Sequence, residues 1–132
     1  MSASRELYCD QYLRVLLEQG GTLVRVVRSA RAFRDTATIE RVFSAVYSAL
    51  GALELKDCGL LADQRLAPGR NEPEFEQALA RSRNQIYPLF RKRAVLVQTA
   101  IGKLQVDRLT KEDNQERMVS HDEAELLRYL GS

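Results

Sequence analysis

Tryptophan is missing from this 132-residue chain, and proline, cysteine, methionine and histidine occur three, two, two and one times. Each scarcity excludes something. A lone histidine, His121, cannot build an HExxH zinc site, and no Glu-x-x-His pair exists for a di-iron bundle. It also stands beside Asp122 and Glu123, which repel an incoming phosphate, so a phosphotransfer role is not expected. Cys9 and Cys58 lie far apart with no CxxC partner, so a disulfide or reactive thiol is the lesser reading of the pair. In a reducing compartment they are expected to be small buried apolar residues, Cys9 on the apolar face of its segment. No GxxxxGK[ST], GxGxxG or GxSxG occurs. Nucleophilic catalysis would need one of the cysteines with His121 as base, and nothing in their spacing supports it. No enzyme activity, metal or cofactor is therefore expected.

Long apolar runs are also lacking. None approaches the roughly 18 residues of a membrane span. The first ten residues carry Glu6 and Asp10 and no apolar core of a secretory signal, so a cytoplasmic location is expected. The net charge of +2 is too small to point to a strongly basic nucleic-acid binder. The cations are mostly arginine.

What is present is apolar periodicity. Hydrophobic residues make up 45% and charged residues 29%, the balance of a globular domain. From Glu72 to Leu109, the positions Phe75, Leu79, Ser82, Ile86, Leu89, Arg93, Leu96, Ala100 and Leu104 recur at steps of three and four, one face of a helix. Pro88 interrupts the stripe without shifting its phase, so a kink is expected there, or a clean break with Pro88 opening a new helix. Upstream, Cys9, Leu13, Leu16, Leu17, Gly20, Leu23, Val24 and Val27 also fit one helical face. Gly20-Gly21 is the difficulty, since each glycine costs about 1 kcal/mol relative to alanine in a helix. The alternative is a short strand over Thr22–Val27, but its only candidate partner, Ala94–Val97, already fits the helical stripe. The helix is the preferred reading. Ile39, Val42, Phe43, Val46, Tyr47, Leu50 and Leu53 form a clean amphipathic helix, with Asp35, Thr36 or Thr38 as cap. Asn71 is a candidate cap for the next helix, and Pro73 suits its first turn. Ser120 and Glu123 resemble a capping box for a short last helix. Thr110–Arg117 is charged and without a stripe.

These patterns predict an all-α protein, a single antiparallel bundle. Its parts are a helix over 4–33, a helix pair or kinked helix over 37–65, a long helix over 72–110 kinked at Pro88, and a terminal helix over 120–130. The function expected is a non-catalytic protein-binding module, such as an adaptor, assembly subunit or chaperone-like binder, acting through apolar helix faces. Its partner would be another protein or a second copy of the chain, with Leu126, Leu127, Tyr129 and Leu130 of the terminal helix as candidate contacts. The alternative is anion or nucleic-acid binding through Arg81, Arg83, Arg91, Lys92 and Arg93. Arg93 and Asp57 each intrude on an apolar stripe, and a pair between them would relieve both.

Overall fold

The computed structural model describes residues 4–69, 72–99, 103–104, 108 and 116–132. They form an α/β fold around a six-stranded mixed sheet, not an all-α helical bundle. Strands β1 (Arg5–Cys9), β2 (Leu13–Glu18) and β3 (Leu23–Arg28) make an antiparallel meander. Helix α1 (Thr36–Leu50) leads to β4 (Gly59–Asp63), and α2 (Pro73–Ile86) leads to β5 (Lys92–Leu96). Strand β6 (Met118–Ser120) and helix α3 (Glu123–Gly131) follow. The spatial order is β1-β2-β3-β4-β5-β6, and the pairings β3–β4, β4–β5 and β5–β6 are parallel.

The expected helix over 4–33 is three strands, and its turn explains why. Gln19, Gly20 and Gly21 have φ of 52°, 67° and 92°. Left-handed backbone over three consecutive residues ends any helix, and two glycines make it accessible. With the chain reversed there, the same apolar residues obey a period of two. Leu13, Val15 and Leu17 face Val24 and Val26 across the β2–β3 ladder and enter one core. The apolar content is so dense that both periods match it. The turn decides between them.

The segment 37–65 is one helix and one strand rather than a helix pair. Asp35 caps α1, its side chain accepting from Thr38 N at 2.8 Å. Past Leu50 the chain turns into β4, all five of whose residues are buried. The long helix expected over 72–110 ends at Ile86. Pro88 sits in a 3-10 turn, Tyr87–Leu89, and Ala94, Val95 and Leu96 beyond it belong to β5 and are buried on both faces, with buried Val97 just past its end. Such a run belongs to any period, which is how Leu96 fell into the helical stripe. Glu72 is the N-cap residue of α2 and Pro73 opens it; Asn71, Ala100 and most of the 100–115 stretch lie outside the described residues. The terminal helix is present, but Asp122 caps it, accepting from Ala124 N at 3.0 Å, while Ser120 ends β6. The Ser120 hydroxyl instead donates to Glu125.

Helices α1 and α2 cover one face of the sheet and α3 the other. On the first face, Ile39, Val42, Val46 and Leu50 of α1 and Phe75, Ala78 and Ile86 of α2 pack with Leu13, Val15, Val24 and Leu60. On the second, Leu126 and Leu130 meet Leu23, Leu61, Ala94 and Leu96. Gly59 permits that contact: a Cβ there would lie 3.2 Å from Leu130 Cβ and Cδ2. Arg25 ties the layers together, donating to Glu18 and to Glu123 in the first turn of α3, both at 2.7 Å.

Because Leu126 is fully enclosed within the chain's own core, Leu126→Ala should lower the unfolding free energy by about 3 kcal/mol in denaturant titration. Exposed Arg128→Ala on the same helix should stay within about 0.5 kcal/mol. Equal effects would contradict this docking.

Candidate functional site

The α1–α2 layer does not fill the space above the sheet. A cleft of about 190 Å³ remains, floored by Val26 of β3 and Leu60 and Ala62 of β4. Phe43 and Val46 of α1 and Leu79, Ser82 and Ile86 of α2 wall it, and the 64–69 loop forms its rim. The sequence dictates this space locally. On β4 the period of two sends Leu60 and Ala62 to the helix face, and alanine leaves room that a larger side chain would occupy. On α2 the inward positions include Ser82, whose hydroxyl donates to Ala78 O at 3.1 Å. The cleft reaches the carboxyl ends of parallel β3 and β4, where open α/β sheets place ligands.

Arg28, the last residue of β3, brings charge to this lining. Its Nε donates to Tyr12 O at 3.2 Å and its Nη2 to Arg31 O at 3.3 Å. Its guanidinium carbon lies 4.2 Å from the centroid of the Phe33 ring. Burial pulls its pKa down to about 10, against an upward pull from the charge of Asp10. Asp10 itself is occupied, accepting from Tyr12 N, Leu13 N and the Tyr8 hydroxyl. At the rim, Arg108 meets Glu76 at 3.1 Å with both side chains partly in solvent, a weak pair. Arg83 also lines the cleft.

The basic residues expected to form an anion site do not converge. Arg81 pairs with Glu40 on α1 at 2.9 Å. Arg93 donates to the carbonyls of Glu116, Tyr87 and Phe90, and not to Asp57. Arg91 donates to the carbonyls of Leu130 and Ser132. Lys92 donates to Tyr129 O and to Ser132 O and Oγ, with its ammonium 4.8 Å from the Tyr129 ring centroid. Arg91 and Lys92 thus serve the exposed carbonyls and negative dipole end of α3. Only Arg83 of the five reaches the cleft.

The terminal-helix residues are likewise placed. Leu126 and Leu130 are buried in cis, and Leu127 and Tyr129 are half-buried against the same cluster. Cys58 is buried, its thiol donating to Gly21 O at 3.2 Å, whereas Cys9 is exposed at the end of β1. Among the described residues no group of three His, Cys, Asp or Glu side chains could hold a metal, and no helix is long and apolar enough to cross a membrane.

Sequence reasoning missed Val26, Arg28, Phe43, Val46, Leu60 and Ala62 as a site because three elements distant in sequence, β3, α1 and β4, bring them together. One signal was available. At a period of two, Arg28 continues the face of Val24 and Val26, a charge at the end of a core stripe.

The architecture is that of a SpoIIAA-like α/β fold. A solved structure similar to this chain is an uncharacterized protein of the DUF3478 family with a SpoIIAA-like fold, from Shewanella loihica PV-4. The match has a TM-score of 0.59 at 14% identity and covers 98% of this chain and 93% of that one. At that identity the likeness concerns the fold. No family profile and no curated protein matches the chain.

Reversing both charges at the end of α3, in Arg91→Glu with Lys92→Glu, should destabilise the protein by about 1–2 kcal/mol through loss of the dipole and hydrogen-bond terms. Amide exchange should accelerate at residues 126–131 before it does in α1. Unchanged protection of those amides would show that the two cations do not hold the helix.

Proposed function

We propose that this chain is a non-catalytic binding protein that takes a small, mostly apolar molecule into the cleft between α1, α2 and the sheet. One observation carries the reading: an apolar space within the core that opens at the carboxyl ends of two parallel strands. Its size suits a ligand somewhat larger than benzene, which an apolar cavity of about 150 Å³ accepts. Ser82 gives its proton to a backbone carbonyl in its own helix, so its hydroxyl is engaged in the helix rather than poised as a nucleophile. The free thiols of Cys9 and Cys58 fit a reducing cytoplasmic setting.

A protein partner, including a second copy of the chain, is the second reading. It rests on Tyr47 and Leu66, which stand 44% and 61% exposed outside the core. The basic 81–93 segment is the weaker candidate for an anion site, because Arg91, Lys92 and Arg93 are engaged with the chain's own carbonyls.

The cleft is tested with uncharged ligands. Indole or 1-octanol should bind the full chain in calorimetric titration and raise its unfolding free energy by about 2.7 kcal/mol at one hundred times Kd. Ala62→Leu, which places a larger side chain in the cleft, should weaken that binding about tenfold or more by removing the volume it needs. Its circular dichroism should match the parent. Failure of both ligands to bind, or binding indifferent to Ala62→Leu, would overturn the reading.

A further inference from the structure

A guanidinium partly withdrawn from water normally brings its counter-charge with it, because losing hydration without one is costly. Arg28, half-buried at the end of β3, departs from that pattern. Its guanidinium has five N–H donors, and two are given to the carbonyls of Tyr12 and Arg31, which leaves three without a protein acceptor among the described residues. No carboxylate there stands within ion-pair distance of it. Asp10 contributes field but is itself held by two backbone amides and the Tyr8 hydroxyl. The Phe33 ring fixes the plane of the guanidinium from one side. Arg28 also lines a small recess of about 40 Å³ with Phe33, Ile39 and Phe75 that adjoins the main cleft through Pro68 and Leu79. The cation therefore stands at the junction of the two spaces.

We infer that Arg28 is the head-group site of the cleft, and that the ligand is a monocarboxylic acid with a medium-length aliphatic or single-ring body. This rests on the cleft reading above and adds the polar end of the molecule. The planar fork of an arginine matches a carboxylate with two parallel hydrogen bonds. At its Arg28 end the cleft offers one cation, which one negative charge balances. A phosphate monoester, at about −1.5 to −2 near neutral pH, would need Arg83 or Arg108 of the lining as well. A carboxylate would also favour the charged form of Arg28, whose pKa burial pulls down to about 10.

The test compares three ligands of one tail, octanoate, 1-octanol and octyl phosphate, by calorimetric titration of the full chain at pH 7. Octanoate should bind about tenfold or more tighter than octanol, the worth of one charge-assisted contact, and tighter than octyl phosphate. Arg28→Gln should abolish the preference for octanoate while octanol affinity stays within about twofold, since the apolar contacts are untouched. Equal affinity for octanoate and octanol would overturn the head-group assignment and leave the apolar cleft standing. A preference for octyl phosphate would overturn the carboxylate. Binding of none of the three would instead sink the cleft reading itself. If Arg28→Gln does not fold, the Arg28 Nε–Hε resonance of the unmodified chain decides. It should move with octanoate and not with octanol, and the absence of any shift with octanoate would refute the contact.

Discussion

Everything in this molecule follows from the burial of β4. Its five residues, Gly59 to Asp63, are covered on both faces and flanked on both edges by parallel partners. A strand in that position satisfies its backbone through its neighbours but must bury side chains in two directions, so it requires a helical layer on each side. Leu60 and Ala62 call for α1 and α2, and Leu61 calls for α3. The parallel steps β3–β4 and β4–β5 in turn need long crossovers, which α1 and α2 supply. The bare Cα of Gly59 lets Leu130 approach, and Arg25 clamps the first turn of the same helix. The terminal helix is thus a structural wall of the fold.

The same strand sets up the cleft. A central strand that alternated large residues would fill the helix-side layer, whereas Ala62 and the Ser82 opposite it on α2 leave space. Tight packing is the rule in protein interiors, and a departure from it at the carboxyl end of a parallel sheet sits where ligands are bound in folds of this class. Arg28 repeats the theme in electrostatic terms. Stability alone would favour an apolar residue at the end of the Val24–Val26 face, so a half-buried cation there runs against local optimisation.

How much of this was legible in the sequence depended on the period. Helix α1 was visible from Ile39 to Leu50 because its apolar residues fit a period of 3.6, and its cap lay among Asp35, Thr36 and Thr38, of which the fold uses Asp35. Pro73 marked α2 for the same kind of reason. The strands were hidden by richness: Leu13–Val27 and Ala94–Val97 hold so many aliphatic residues that a helical face can be drawn through either. Turn chemistry held the answer at Gln19-Gly20-Gly21, where backbone geometry outweighs side-chain pattern, and at Pro88, which ends a helix rather than bending it. The cleft was less legible still. Its lining is apolar, like the rest of the core, and only the fold shows that these side chains surround a space. The basic cluster misled for the converse reason, since adjacent cations in sequence serve separate backbone carbonyls once a helix end lies beside them.

Methyl-resolved NMR of the full chain titrated with octanoate tests the central claim most directly. If the cleft between α1, α2 and the sheet is the binding site, the methyl resonances of Val26, Val46, Leu60, Leu79 and Ile86 move together and saturably, while those of Leu61, Leu96 and Leu126 beneath α3 stay in place. Shifts confined to the α3 side, or spread without saturation over the surface, would contradict the account.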